Sequence, residues 1–407
     1  MRVYLSHLSY LLKYKTYTTV FYLSLMSVPI YFTFASVFGI ANVEGETTIY
    51  FTLFVLLIFF TQLLLYFFTL LKGSILRSEL FLLLFIFLLI SLSFGIGVFY
   101  DLKLDNFYLF IIMGITGFLL YFSSVKIYSF KNISLDTYYL SLFFSWLFIF
   151  AIFKVFTVSE IFSDINLGGA TYQTISYTAV LLFGLLLFLL PNTCKNKIFC
   201  LVLYFLNFIT LVSLSFIMFL GGSKGAFLVF VLYLFYFFIL KFRILTLLSW
   251  LAIGMSLAML GSIITYDISI FEVGFNRILA FFDPDISMSE RATGRDSYYQ
   301  NFLTLFEESP FFGYGLLSSN GYVSNSHNLF TMFMLQFGFF GVIKSVFIIL
   351  LLLITVLKID FKRNLFFGVL LVHVFVMLMF SGQYFSTLLY WFVLSFMVDN
   401  LFREHST

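Results

Sequence analysis

The sequence predicts an all-α, polytopic integral membrane protein with about twelve transmembrane helices and one large outer loop between spans nine and ten. Its composition comes first. Of 407 residues, 62% are hydrophobic and 10% charged, and the mean hydropathy is +1.07. A soluble domain carries about a quarter charged residues. Too little polar surface remains here to cover a water-exposed particle, so lipid must be the solvent. The second observation is a series of apolar runs of spanning length. They fall near 17–40, 49–71, 79–99, 107–125, 138–156, 174–190, 198–219, 225–240, 244–266, 339–357, 365–381 and 385–400.

The third observation is the placement of charge. With the N-terminus in the cytoplasm, Arg2, Lys13, Lys15, Lys72, Arg77, Lys126, Lys131, Lys195, Lys197, Lys241, Arg243, Lys358, Lys362, Arg363 and Arg403 fall inside. That is fifteen of the 22 basic residues, against six outside, and Lys344 lies within a span. Short inner loops rich in Lys and Arg are the signature of this orientation. The outer loops are acidic, with Glu44 and Glu46, Asp101 and Asp105, and Glu160 and Asp164. Both termini are therefore expected in the cytoplasm, and the chain in an inner membrane.

The first apolar run is followed by Ala41-Asn42-Val43-Glu44 rather than a small-residue cleavage site, so an uncleaved first helix is expected. Cys194 and Cys200 fall at the inner end of a span and are expected to be ordinary thiols. The chain divides into an N-terminal bundle (1–266), an outer loop with motif residues (267–338), and C-terminal spans with a cytoplasmic tail (339–407).

The outer loop concentrates the polar chemistry. Arg277, Arg291 and Arg295 lie there, against the usual exclusion of cations from the outer side. Guanidinium groups bind phosphate oxygens in bidentate fashion, which makes the three an anion-site candidate. Pairing with Glu272, Asp283, Asp285, Glu290 and Asp296, or with lipid headgroups, is the alternative. Ser309-Pro310-Phe311-Phe312-Gly313-Tyr314-Gly315 reads as a tight turn whose glycines admit close backbone approach.

Ser326 is the expected N-cap of an apolar stretch, Leu329 to Phe337, that ends at Gly338. His327 then sits in the first turn, either to handle a proton or anion there or simply to anchor the helix. Gly221-Gly222-Ser223-Lys224-Gly225 forms an outer hairpin between spans seven and eight. It lacks the spacing and preceding strand of a phosphate-binding loop, and Lys224 either lines the mouth of the bundle or snorkels. Asp283-Pro284-Asp285 reads as a solvated turn, and His327 has no second His or Cys in the loop, so no metal site and no cofactor are expected.

Taken in order, Gly222-Ser223-Lys224-Gly225, Thr293-Gly294-Arg295, Pro310 to Gly315, Ser326-His327-Asn328 and Phe337-Gly338-Phe339-Phe340-Gly341 resemble the bacterial O-antigen polymerase and O-antigen ligase superfamily. Lys224 stands where that family usually has arginine, which keeps a positive charge but loses the bidentate fork. The resemblance implies metal-independent glycosyl transfer on the periplasmic face, from a glycan on undecaprenyl pyrophosphate. It implies catalytic roles for Arg295 and His327, pyrophosphate binding by Lys224, Arg291 and Arg277, and a structural turn at Gly313 and Gly315.

Membrane lipid, the lipid-linked oligosaccharide, a chain-length regulator and a flippase are the partners it brings into view; no nucleic acid is expected. Length and Phe-rich composition resemble the polymerases. The ligase is the alternative within the family, and a flippase or other transporter of lipid-linked sugars is the alternative outside it. A transporter usually carries charged or helix-breaking residues deep in several spans. These spans are nearly free of charge.

Overall fold

The computed structural model describes residues 15–38, 49–71, 73, 75–97, 108, 110–127, 133–156, 172–191, 197–241, 296–316, 318, 323, 328–360, 364–381 and 383–402. The regular elements among them are helices: α1 (Lys15–Leu25), α2 (Ser27–Val37), α3 (Ile49–Leu70), α4 (Arg77–Gly97), α5 (Thr116–Ile127), α6 (Ile133–Phe156), α7 (Tyr172–Phe188), α8 (Lys197–Gly221), α9 (Lys224–Lys241), α10 (Asp296–Glu308), α11 (Leu329–Lys358), α12 (Leu365–Phe380) and α13 (Leu388–Phe402). A π-helical segment, Phe110–Ile115, leads into α5, and a 3-10 turn, Tyr384–Ser386, links α12 to α13.

Five helical stretches are long and apolar enough to cross a membrane by themselves: Ile49–Leu70, Arg77–Ile96, Asp136–Lys154, Lys197–Gly221 and Leu329–Lys358. The number rises to six if α1 and α2, bent by 81°, form one span. Shorter apolar helices at Phe110–Lys126, Gln173–Phe188, Lys224–Ile239, Leu365–Phe380 and Leu388–Phe402 overlap five more of the predicted spans. The predicted ninth span, 244–266, lies outside the described residues, as does most of the large loop after it. Within that loop the structure describes α10, where the sequence analysis assigns no helix.

Contacts partition the chain into two units that interleave along it, whereas the sequence division follows chain order. One comprises Met1–Phe54, Tyr128–Phe282 and Leu365–His373; the other comprises Val55–Ile127, Asp283–Asn364 and Val374–Thr407. In the first unit the bend between α1 and α2 falls at Met26, three residues before Pro29. Proline has no N–H, and its ring clashes with the carbonyl four residues back, so the helix turns there. α7 is buried along most of its length and packs against α6, α8 and α9. An element apolar all round belongs in such an interior position. Cys200, expected as a thiol, is instead disulfide-bonded, and Cys194, the chain's other cysteine, lies outside the described residues.

In the second unit α13 holds the equivalent interior place, packed by α4, α5 and α11. Gly117 lets α5 approach the Leu388 carbonyl of α13 closely. One end of this unit is tied by charge. Glu79, fully buried, accepts from Lys126 at 2.8 Å, from the Leu76 amide at 3.0 Å, and from the Tyr66 hydroxyl. Asp399 accepts from Ser78 at 2.7 Å and from Tyr121 at 2.9 Å.

Buried carboxylates persist in apolar surroundings only when fully bonded. Glu79→Ala, which strands the Lys126 ammonium, is therefore expected to cost about 3–5 kcal/mol. Replacing Glu79 and Lys126 together by apolar residues is expected to cost less. Thermal denaturation in detergent checks both. By contrast, α3 presents Leu53, Leu57, Phe60, Leu64 and Phe67 outward, a face suited to acyl chains rather than water.

Candidate functional site

The site is built around a broken helix. α11 has 30 residues and would rise about 45 Å if straight, while about 20 residues suffice to cross the hydrocarbon core. Gly338 interrupts it with φ 55° and ψ −129°, a conformation closed to residues with a Cβ. The sequence draws the same division, an apolar stretch ending at Gly338 and a span resuming at Phe339.

A break frees backbone groups that must find partners. Here the glycine turn supplies them. The amides of Tyr314 and Gly315 donate to the carbonyls of Leu335 (2.9 Å) and Gln336 (2.7 Å), and the Phe339 amide donates to Pro310 O (2.7 Å). The fit depends on missing side chains. A Cβ on Gly313, at φ 64°, would stand 2.5 Å from the Leu335 carbonyl, and one on Gly338 would stand 2.5 Å from the Pro310 carbonyl. The turn itself closes through Gly313 N to Ser309 O at 3.1 Å and Ser309 Oγ to Gly313 O at 2.9 Å.

α10 seats the turn. Phe302, Leu305 and Phe306 recur at helical spacing and pack on the buried cluster of Tyr314, Val323 and Leu335. Tyr314 also donates to Glu308 at 2.7 Å. Beside the turn, Phe311, Phe312, Phe339 and Phe340 are exposed, and Phe312 stacks on Phe340 at 6.0 Å. Such an aromatic patch suits the boundary between lipid and water.

The N-cap of α11 differs from the sequence expectation. Asn328, not Ser326, caps it, its side-chain oxygen accepting from the amides of Phe330 (3.0 Å) and Thr331 (3.3 Å). Asn and Ser cap about equally well, and the carboxamide here reaches two orphan donors at once. The helix begins at Leu329, so His327 precedes the cap instead of occupying the first turn.

In the other unit, Gly222, at φ 61°, and Ser223 separate α8 from α9. Ser223 Oγ accepts from the Ala226 amide at 3.4 Å, and Lys224 is the first residue of α9, half-buried. A helix N-terminus is already electropositive, so a lysine there adds to a field that favours anions. Arg277, Arg291, Arg295 and His327 lie outside the described residues. The structure thus brings Gly313 and Gly315 together at the helix break, and describes Lys224 within its own unit.

The sequence leaves Lys344, near the outer end of its span, between facing the lipid-phosphate cavity and snorkelling. It does not snorkel. Lys344 is 6% exposed, and its Nζ lies 4.0 Å from the Phe333 ring, 4.2 Å from Tyr384, 4.9 Å from Phe337 and 5.9 Å from Phe85. A lysine side chain on a helix runs back toward the N-terminus, which carries this one to rings at and before the break. Placing a lysine at membrane depth costs about 2.5–3.5 kcal/mol, and a desolvated cation–π contact returns about 2 kcal/mol. The rings offset much of the cost but bond none of the ammonium's N–H groups.

Among the described residues Lys344 Nζ has no hydrogen-bond partner. Neither does the Nε2 of Gln336, whose Oε1 accepts from the Tyr384 hydroxyl at 2.6 Å. Sequence reading passed over Gln336 and Tyr384. The available signal was a lone carboxamide within the apolar run Leu329 to Phe337.

Residues 208–344 match the family model described as O-antigen ligase. That stretch of the chain is similar to the O-antigen ligase family. The match begins within α8, ends at Lys344, and covers about a third of the chain. It encloses Lys224, Arg277, Arg291, Arg295, the turn glycines and His327. The O-antigen ligase match supports the polymerase and ligase superfamily that the ordered motifs resemble. No match was found among curated proteins.

Proposed function

We propose that the protein is an O-antigen polymerase of the inner membrane, joining oligosaccharide repeat units carried on undecaprenyl pyrophosphate. The observation that carries this reading is the match to the O-antigen ligase family at 208–344, set in a chain with five helices among the described residues long and apolar enough to cross a membrane. In the reaction a hydroxyl of the acceptor sugar attacks the anomeric carbon of the donor. The bond from that carbon to the pyrophosphate oxygen breaks, and lipid pyrophosphate leaves with the electron pair. His327 orients the hydroxyl and takes its proton. Arg295, with Lys224, Arg291 and Arg277, stabilises the charge gathering on the leaving group, the task a metal would otherwise perform. A chain-length regulator and a flippase are the protein partners this reading expects.

A second reading is favoured by the description of the matched family itself. An O-antigen ligase runs the same displacement with a lipopolysaccharide-core sugar as acceptor. Purified protein given only the lipid-linked repeat unit separates the two. The polymerase forms longer lipid-linked chains and releases undecaprenyl pyrophosphate, with chelator present or absent. A protein that forms no chains until lipopolysaccharide core is added is the ligase.

The reading also takes the charge-based topology of about twelve spans with both termini inside. Cys200 is disulfide-bonded, and a disulfide persists on the oxidising side, while Lys195 and Lys197 favour the inner one. An intact disulfide in cells, closed to maleimide until reduced, would put this end of α8 outside and overturn this part of the topology. Reaction of both cysteines with a membrane-permeant maleimide and not with an impermeant one would uphold it.

A further inference from the structure

We propose that Lys344 and Gln336 form an anion site at membrane depth that receives a phosphate oxygen of the lipid pyrophosphate, with the Tyr384 ring covering it until the lipid arrives. The identity of the ligand rests on the function proposed above; the site rests on the juxtaposition itself. Two buried side chains carry unpartnered donors on either side of one tyrosine: the Lys344 ammonium against the Tyr384 ring face, and the Gln336 carboxamide against its hydroxyl. Among the described residues no carboxylate lies within ion-pair distance of Lys344. The site therefore offers unpartnered hydrogen-bond donors, and an acceptor-only anion is the chemistry that completes it.

The position suits a lipid headgroup. Lys344 lies six residues past the break at Gly338, about 9 Å along the helix axis. The exposed aromatics around the break suit the lipid–water boundary, and the Lys344 side chain runs back toward the break, which puts its nitrogen near headgroup level. A bonded cation at that depth is what a phosphate drawn slightly into the bilayer needs, and an intramembrane lysine with no partner is otherwise a net cost. Of the four rings, those of Phe333, Phe337 and Phe85 belong to α11 and α4, while Tyr384 is carried on the short 3-10 turn between α12 and α13. Displacing Tyr384 opens the ammonium and releases Gln336 in one movement.

The test uses the full-length protein in nanodiscs, titrated with geranylgeranyl pyrophosphate as the pyrophosphate lipid and with phosphatidylglycerol as the ordinary phospholipid. The expected result is that wild type prefers the pyrophosphate lipid and that Lys344→Met weakens its binding by about 10- to 100-fold, the loss of a charge-assisted hydrogen bond. Gln336→Leu should weaken it severalfold, and Lys344→Arg should restore most of the affinity. A folded Lys344→Met protein that binds as wild type does overturns the proposal, leaving the lysine as a packing cation. Equal wild-type affinity for both lipids, lost together in Lys344→Met, overturns the pyrophosphate assignment.

Should Lys344→Met fail to fold, the wild-type protein decides. A 15N-lysine to 31P dipolar contact on the added pyrophosphate lipid, at a resonance missing from Lys344→Arg, supports the site, and its absence overturns it. Tight pyrophosphate binding by a protein that forms no polymer refutes the proposed function while this site stands.

Discussion

Gly338→Ala is expected to abolish activity and to destabilise the protein by about 3 kcal/mol or more. Two effects add. The backbone at φ 55° and ψ −129° excludes a Cβ, and the new methyl would stand 2.5 Å from Pro310 O and 2.6 Å from Phe311 C. Relieving the clash moves the turn away, and the bonds from Tyr314, Gly315 and Phe339 go with it. Tyr314, Gly315, Leu335 and Gln336 are buried, so each bond lost among them costs more than it would on an exposed surface. Gly313→Ala is expected to behave alike, since it meets the Leu335 carbonyl from the other side. Gly95→Ala is the control: nothing lies within 4 Å of its added methyl, so stability is expected to hold or rise slightly. Melting temperatures in detergent check all three.

Arg295→Ala and His327→Ala carry the second large effect, this time on turnover rather than folding. A donor aimed at developing charge is worth about 10²- to 10³-fold in rate, and a general base about 10²- to 10⁴-fold. Arg295→Ala is expected to leave repeat-unit binding largely intact while polymer formation falls by that factor, because the leaving-group charge exists fully only in the transition state. Arg295→Lys should recover part of it, keeping charge but losing the fork. His327→Ala is expected to remove the ascending limb of the pH–rate profile between about pH 5 and 8 along with the rate, since an imidazole base works only when deprotonated. Retained turnover in either alanine variant, at normal expression, would contradict the assignment.

How much was legible in sequence depended on whether the cause was local. The break in α11 was readable, because the apolar run from Leu329 stops at a glycine and restarts at Phe339. The turn at Pro310 to Gly315 was readable for the same reason, though not its partner. That the turn bonds the carbonyls of Leu335 and Gln336 is a contact between segments some twenty residues apart.

The cap of α11 was misread, since Ser326 and Asn328 are both capping types and only the reach of the side chain decides. The bend between α1 and α2 was hidden in a continuous apolar run, with Pro29 its one trace. Glu79 was invisible as a buried charge: its partner Lys126 is 47 residues away and had been counted as an inner-loop cation. Lys344 was noticed but not placed, because its surroundings come from α4, α11 and the turn before α13 together. Charge counts along a chain assign sides of a membrane; they do not pair residues.

The most direct measurement of the central claim is lipopolysaccharide gel banding in a strain deleted for the gene, then complemented with the wild-type protein. The account predicts that deletion leaves core carrying a single repeat unit and that complementation restores the full ladder. Bare core in the deletion strain, with long glycan accumulating on its lipid carrier, would contradict it and make the protein the ligase.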